Sequence, residues 1–344
     1  MRRDVDSGAE VLPENDNAPA PAAVESQIAK SVERFRRATL FLVLASSVMA
    51  AALALMMNVR VDPSGTALLN LFAASLLLFS RIWWRRSGHI RVADACGTVA
   101  LVSLMGMSCG ALSMLGLRLH FPLADRWFWS LDHLLGLDAI SIAEQLISQG
   151  QWIFSIMAPA YAQTIPLLIL SMCCLALLGR RLEAWRACFC FAGALFTICL
   201  IALFLPAKGL GTWAPDALLA RLPAHSMLYF WPAFDSFYSG PAPVLSVATI
   251  DGVISFPSFH AVMGFIVAAM WRNKLATLLP ALLWLAFMLL ATIPYGGHYV
   301  VDLIGGLAVW SAWFAASFIV QRGGWRQQRP AVALVAGERF DTRS

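Results

Sequence analysis

The sequence predicts an all-α protein, a polytopic integral membrane bundle of about eight transmembrane helices. Apolar residues make up 59% of the 344-residue chain and charged residues only 13%, which is about half the charged share of a soluble domain. Eight apolar runs are also long enough, or nearly so, to cross a bilayer as helices. They lie at residues 39–59, 66–84, 92–117, 152–178, 187–205, 259–271, 275–293 and 299–320.

Basic residues alternate along the chain in a pattern that predicts its orientation. Arginine and lysine precede the first apolar run, occur in every second connection between runs, and follow the last run. By the positive-inside rule, those connections and both termini face the cytoplasm. Residues 206–258 and 294–298 then face the exoplasmic side, which is the periplasm if the chain lies in a bacterial inner membrane. The net charge of +5 therefore indicates membrane topology rather than nucleic-acid binding.

Composition divides the chain into four parts. Residues 1–29 are rich in Ala, Pro, Asp, Glu and Asn and contain no apolar run, so they are predicted to be a disordered cytoplasmic segment. Residues 30–91 are predicted to form an accessory transmembrane hairpin with no assigned chemistry. Residues 92–321 form the main membrane domain, which carries the motifs described below, and residues 322–344 form a polar cytoplasmic tail.

After the third apolar run, the chain predicts an amphipathic helix lying in the membrane interface. Its apolar residues recur at helical spacing and are Leu123, Trp127, Leu131 and Leu134. Its ionisable residues include Asp125, Arg126, Asp132 and His133. These side chains either contact a lipid headgroup or are the solvated charges of a linker, and the sequence leaves both interpretations open.

Two polar motifs stand at the start of the sixth and eighth apolar runs. Residues 255–260 read Ser-Phe-Pro-Ser-Phe-His, and residues 296–302 read Gly-Gly-His-Tyr-Val-Val-Asp. Because the chain crosses and returns between them, we expect the two motifs to meet at one membrane face. Residues four apart on a helix share a face, so Asp302 is expected to hold one ring nitrogen of His298. A carboxylate in this position orients the imidazole, which makes His298 the predicted nucleophile.

The remaining motif residues predict acid–base chemistry and an anion site. His260 has no carboxylate at matching spacing, so it is free to act as a general acid and base. Pro257 suits the first turn of a helix, and the unpaired N–H groups from Ser258 to His260 would then face an anion. Gly296 and Gly297 let the backbone approach the same anion closely. Together these residues predict a site for an oxyanion such as phosphate.

These motifs carry a family resemblance. Residues 257–260 and 298–302 resemble the second and third signature motifs of the type 2 phosphatidic acid phosphatase superfamily. Their form is most similar to its inositolphosphotransferase branch, which includes inositol phosphorylceramide synthases. The likeness covers residues 117–320 and implies a six-helix phosphatidic acid phosphatase-like core. It also implies a phosphohistidine mechanism, in which the His298 side chain attacks and His260 protonates the leaving group.

The basic residues of the superfamily's motifs are not all present. The first motif, a lysine followed seven positions later by Arg-Pro, is absent, and the arginine expected six positions before His298 is Thr292. Lys208 and Arg221 are the cationic candidates for phosphate binding. The alternative for Lys208 is that its side chain extends to the polar membrane interface without binding phosphate. The long loop at residues 209–252 is expected to cover the site and contact the substrate headgroup.

The predicted function is metal-independent, cofactor-free transfer of a phosphoryl or phosphoinositol-like group from a lipid donor to an alcohol. The alternative is a lipid phosphatase that uses water at the same site. A metal-dependent transferase needs clustered carboxylates, which the predicted spans lack. A transporter or scaffold does not explain the two motifs. His260, His298 and Asp302 also do not suit a purely structural role, since a carboxylate inside a span costs up to about 3 kcal/mol on insertion scales.

Overall fold

The computed structural model of the protein describes residues 21–86, 88–223, 226–241, 243–246, 250 and 252–322. This part of the chain is almost entirely helical, with two short 3-10 turns and one two-stranded pairing. The helices are α1 (Pro21–Met56), α2 (Pro63–Arg85), α3 (Ile90–Gly116), α4 (Asp125–Leu134), α5 (Ala139–Ser148), α6 (Gln151–Ala162), α7 (Thr164–Leu177), α8 (Arg181–Phe204), α9 (Asp216–Leu219), α10 (Trp231–Tyr238), α11 (Phe259–Met270), α12 (Leu275–Gly296) and α13 (Val300–Arg322). The strands are β1 (Arg60–Val61) and β2 (Val244–Leu245), which pair in parallel.

The predicted fold class, an all-α polytopic membrane bundle, is confirmed. Within the described residues, α1, α3, α8, α12 and α13 are each long and apolar enough to cross a membrane. Helices α6 and α7 meet the same length and composition requirement when taken together, but they are bent by 53° relative to each other. The bend falls at Gln163, just before Pro166, because proline has no N–H to continue the hydrogen bonding of the preceding turn.

Two of the eight predicted spans are shorter than a full crossing. The apolar part of α2 covers Ala67–Trp83, and α11 has only 12 residues. At 1.5 Å per residue, α11 extends about 18 Å, whereas the hydrocarbon core is about 30 Å thick. Helix α11 cannot begin earlier because Ser258 caps its first turn. The polar motif that precedes it therefore lies within the depth of the bundle.

Helix α8 is the centre of the bundle. It packs against α1, α3, α7, α11 and α13, and most of its residues are buried, among them Trp185 and Ile198. A helix that is apolar on every side is suited to such a position. The outer helices instead expose large apolar side chains, such as Phe41 on α1 and Leu283 on α12, as expected for surfaces that face lipid.

The N-terminal region differs from its prediction in two ways. Residues 21–29 are helical rather than disordered, because Pro21 suits a first helical position and the following Ala, Glu and Gln residues favour helix. The predictions for residues 1–20 and for the tail 323–344 lie outside the described residues. Helices α1 and α2 also do not pack as a hairpin. Each packs against α3, with few contacts between the two among the described residues.

Candidate active site

Helix α11 presents the first motif at its N-terminus. Ser258 is the N-cap residue, and its Oγ accepts a 3.4 Å hydrogen bond from the Ala261 N–H. The Ser258 N–H donates to the Asp302 carbonyl oxygen at 2.9 Å. Two expectations are therefore wrong. Pro257 precedes the cap instead of lying in the first turn, because serine is a strong N-cap residue, and the Ser258 N–H is already bonded within the chain.

The second motif closes the turn between α12 and α13. Helix α12 ends at Gly296, and Gly297 adopts the left-handed conformation with φ of +68°. A Cβ atom on Gly297 would lie 3.1 Å from the Met227 main chain, and one on Gly296 would lie 2.7 Å from the His298 ring. Both glycines are therefore required by the close packing of the chain around His298. Their contact with an anion remains a prediction.

Asp302 holds His298 through the ring nitrogen nearer the backbone. The Nδ1 of His298 lies 3.0 Å from Oδ2 of Asp302, and both side chains are buried. The same carboxylate oxygen accepts hydrogen bonds from the Ser255 hydroxyl at 2.7 Å and from the Tyr299 N–H at 3.0 Å. Because an ionised carboxylate only accepts, Nδ1 carries the proton. The Nε2 of a neutral His298 therefore has a free lone pair.

The lone pair of His298 is directed toward the residues of the first motif. Nε2 lies 3.5 Å from the Ser258 hydroxyl, and the ring centroids of His260 and His298 are 6.5 Å apart. The His260 ring stacks on Tyr161 of α6, with centroids 4.2 Å apart and an interplanar angle of 20°. The side chains of His260, His298 and Ser258 therefore lie close together.

The two cationic candidates have other partners or surroundings than the histidines among the described residues. Lys208 Nζ forms a 2.6 Å ion pair with Asp235 of α10 and lies 4.7 Å from the Trp231 ring centroid. Arg221 lies on the wall of a cavity of about 680 Å³ that is also lined by Phe154 and Tyr295. In the described structure, neither cation forms a hydrogen bond or ion pair with His260 or His298. Their binding of phosphate remains a prediction.

Comparison with known protein families covers the region that contains both histidines. A family model described as the PAP2 superfamily matches residues 126–316, which is more than half of the chain. The chain belongs to the PAP2 superfamily. This membership supports lipid phosphatase or phosphotransferase chemistry in general, without distinguishing the inositolphosphotransferase-like branch. Searches of curated proteins and of solved structures return no match.

The candidate site has a supporting residue on α4 that the sequence did not assign to this role. Asp132 caps α13, because its Oδ2 accepts the Val300 N–H at 2.9 Å and its Oδ1 accepts the Val301 N–H at 2.8 Å. Burial raises the pKa of the Asp132 carboxyl, and the two N–H bonds offset part of this effect. The expectation of headgroup contact or solvation is thus wrong for Asp132, which faces the protein.

A second buried carboxylate on the same face of α4 connects three parts of the chain. Asp125 accepts hydrogen bonds from the N–H groups of Lys208 and Gly209 at 3.0 and 2.8 Å, and from the Tyr299 hydroxyl at 3.0 Å. The Trp213 indole N–H also donates to the Tyr299 hydroxyl at 2.9 Å. This network joins α4 and the loop at residues 209–252 to the residue that follows His298. Asp125 too is buried rather than solvated.

The outer face of α4 agrees with its predicted position in the membrane interface. Trp127, Leu131 and Leu134 are exposed, while Phe128 is buried between the two aspartates of the inner face. The sequence signal for these aspartates is their spacing, since residues seven apart lie on one face of a helix. Ser255 carried a sequence signal because it stands in the first motif, whereas Tyr161 lies 99 positions before His260 and its contact with that ring has no local pattern.

Proposed function

We propose that this PAP2 superfamily member is a membrane phosphotransferase. It moves a phosphoryl or phosphoalcohol group from a lipid donor to an alcohol acceptor through a phosphohistidine intermediate. The observation that carries this proposal is the contact of His298 with Asp302, which leaves Nε2 directed toward Ser258 and the space beside His260. Nucleophile, orienting carboxylate and acid–base group are thereby brought to one place.

In the first half-reaction, Nε2 of His298 attacks the phosphorus atom of the lipid donor. A nitrogen–phosphorus bond forms, the bond from phosphorus to the leaving oxygen breaks, and His260 gives its proton to the departing alkoxide. Asp302 stabilises the charge that develops on the His298 ring. The stacked Tyr161 ring restricts the orientation of His260.

In the second half-reaction, His260 takes a proton from the acceptor hydroxyl. The resulting oxygen attacks phosphorus, the nitrogen–phosphorus bond breaks, and neutral His298 is restored. With an alcohol as acceptor the product is a new phosphate ester, whereas with water it is free phosphate or a phosphomonoester. The resemblance to the inositolphosphotransferase branch favours an alcohol acceptor such as inositol or another lipid-linked alcohol.

The negative charge of the phosphate requires hydrogen-bond donors and cations besides the two histidines. The first-turn N–H groups of Phe259 and His260 are placed at the N-terminus of α11, where anions are favoured. Lys208 is proposed to supply a positive charge after exchanging its ion pair with Asp235 for the substrate, and Arg221 to contact the headgroup from its cavity. Within the described residues, no group of three or more His, Cys, Asp or Glu side chains is arranged to hold a metal ion, and we propose that the reaction needs none.

We further propose that the site faces the exoplasmic side, with both termini in the cytoplasm. The support is the distribution of charge along α13, which begins next to His298 and ends at Arg322. Cationic residues of α1 lie at this second end of α13, since Arg34 donates to the carbonyl oxygens of Val320 and Gln321. By the positive-inside rule this end is cytoplasmic.

The experiment that tests the function is a product analysis. Purified protein is incubated with a panel of phospholipids and isoprenoid phosphates, with and without inositol, glycerol or ceramide, and products are identified by mass spectrometry. A new phosphate ester whose yield depends on one acceptor supports the transferase and identifies the acceptor. The ester is a monoester for phosphoryl transfer and a diester for phosphoalcohol transfer. Free phosphate that is unaffected by any acceptor overturns it in favour of the phosphatase. Inhibition by EDTA that added metal reverses would overturn the metal-free mechanism.

A further inference from the structure

Cavities lie along the gap between α1 and α2. Both helices lie against α3 and leave a space between them. At one end this space opens into a cavity of about 690 Å³. Five cationic side chains and one carboxylate line this basic cavity, and they are Lys30, Arg34, Arg36, Arg37, Arg81 and Glu33. Glu33 pairs with Arg37 at 2.7 Å and with Arg36 at 3.6 Å, so the cations outnumber the one carboxylate on the wall of the cavity.

An apolar slot continues from the basic cavity into the bundle. The slot has a volume of about 200 Å³, and it shares Arg36 and Arg81 with the basic cavity. Its inner wall is formed by Leu40 of α1, Leu77 of α2 and Leu101 of α3. Arg36 and Arg81 therefore form a charged rim around an apolar opening.

The gap extends beyond this slot. A further cavity of about 320 Å³ is lined by Ala50, Asn70 and Leu104 of the same three helices, and by Leu245 and Ile250 of the long loop. Leu104 is one helical turn from Leu101, so the two spaces follow one another along α3. From Arg81 to Asn70, α2 covers about 16 Å. The path is long, narrow and mainly apolar.

This path is separate from the histidine site. Arg34, on the wall of the basic cavity, donates to the carbonyl oxygens of Val320 and Gln321 at the end of α13. His298 lies just before the first residue of the same 23-residue helix, which is about 34 Å long. The basic cavity and the active site are thus at opposite ends of the bundle. Most residues that line the path also lie outside the region matched by the PAP2 family model, and the exceptions are Trp185, Leu245 and Ile250.

We propose that the gap between α1 and α2 binds an anionic phospholipid. The phosphate lies in the basic cavity between Arg36 and Arg81, and an acyl chain occupies the apolar slot and the space beyond it. Clusters of arginine and lysine at the end of membrane helices attract anionic headgroups. The shared rim favours a lipid over a soluble phosphate, since a soluble anion has no group to fill the apolar slot. This binding does not depend on the proposed histidine chemistry.

The test measures lipid binding by the full chain in detergent. Native mass spectrometry compares the retention of phosphatidylglycerol with that of phosphatidylcholine. We expect the wild type to prefer phosphatidylglycerol, and R36Q/R81Q to lower this preference about 25-fold, because each arginine near an anionic headgroup contributes about a factor of five. The matched control R91Q/R272Q removes two exposed arginines that do not line this cavity and should retain the preference. Equal loss in both variants, or no loss in R36Q/R81Q, would overturn the proposal.

A second variant distinguishes a lipid from a soluble phosphate. Leu77→Trp fills the slot without changing charge, so it should reduce phosphatidylglycerol retention by at least about fivefold. Glycerol phosphate should not compete with the lipid in the wild type. Competition by glycerol phosphate, together with unchanged binding in Leu77→Trp, would assign the cavity to a soluble anion instead. If R36Q/R81Q does not fold, the exposed single change R81Q carries the same test, with about a fivefold loss expected.

Discussion

The N–H of Ser258 donates a 2.9 Å hydrogen bond to the carbonyl oxygen of Asp302. This bond joins the residue that caps α11 to the residue that holds His298. Close packing reinforces it, because a Cβ atom on Gly306 would lie only 2.5 Å from the Ser258 carbonyl oxygen. The main chain therefore fixes the position of His260 relative to His298, independently of the two side chains. Either histidine can be replaced without removing this contact.

The first prediction concerns these two histidines. His298→Ala and His260→Ala should each lower kcat by at least about 100- to 10,000-fold, because each removes a group that forms or transfers a bond. A lipid analogue with a good leaving group should restore much of the rate of the first half-reaction, measured as leaving-group release, in His260→Ala, because that step needs His260 only as a proton donor. It should restore none in His298→Ala. The measurement is product formation by protein of unchanged helicity. The control is His133→Ala, at an exposed residue of α4. Near-normal turnover in either active-site variant would contradict the mechanism.

The second prediction concerns the cap that Asp132 places on α13. Asp132→Asn retains one acceptor oxygen but presents an amide group to the second N–H, so we expect a loss of about 1–2 kcal/mol in the free energy of unfolding. Activity should fall as well, since α13 begins two residues after His298. Denaturant unfolding and kcat measure the two effects. Glu144→Gln, a matched change at an exposed residue of α5, should alter neither.

Local sequence patterns predicted part of this site. The contact between His298 and Asp302 follows from their spacing of four residues, and the helices follow from the length and composition of the apolar runs. The contact of Asp132 with Val300 joins residues 168 positions apart. Its partner groups are backbone N–H groups, which leave no signal in the sequence. The separation of α1 from α2 was also not predictable, because the apolar runs specify helices but not which helices touch.

The third prediction is a pH dependence of stability from Asp125. Burial raises the pKa of this carboxyl in the folded protein, and hydrogen bonds from Lys208, Gly209 and Tyr299 offset this only in part. The folded state therefore binds the proton more tightly than the unfolded chain, and the contribution of Asp125 to stability increases as pH falls from neutral toward the unfolded-state pKa. Asp125→Asn removes this contribution. The stability advantage of the wild type over Asp125→Asn should thus grow as pH is lowered, whereas its advantage over Glu144→Gln should not. A constant difference would contradict the prediction.

The fourth prediction separates two roles of Lys208. Lys208→Gln should lower kcat/KM about 100-fold if the ammonium stabilises phosphate charge. Asp235→Asn breaks the same ion pair but leaves the cation in place, so it should lower kcat/KM by less than about threefold. An equal decrease in the two variants would show that Lys208 acts only by holding α10. Both effects are measured as kcat and KM with the same lipid donor.

The fifth prediction tests whether Tyr161 orients His260 by stacking. Tyr161→Ala removes the ring and should lower kcat about 2- to 10-fold, since aromatic pairs of this kind contribute about 0.5–1.5 kcal/mol. Tyr161→Phe retains the ring and loses only the hydroxyl, so its kcat should stay within about twofold of the wild type if stacking alone matters. A large loss in Tyr161→Phe would instead assign the function to the hydroxyl, which lies 2.9 Å from the position of a Cβ atom on Gly296. The comparison is informative because both changes leave the His298–Asp302 contact untouched.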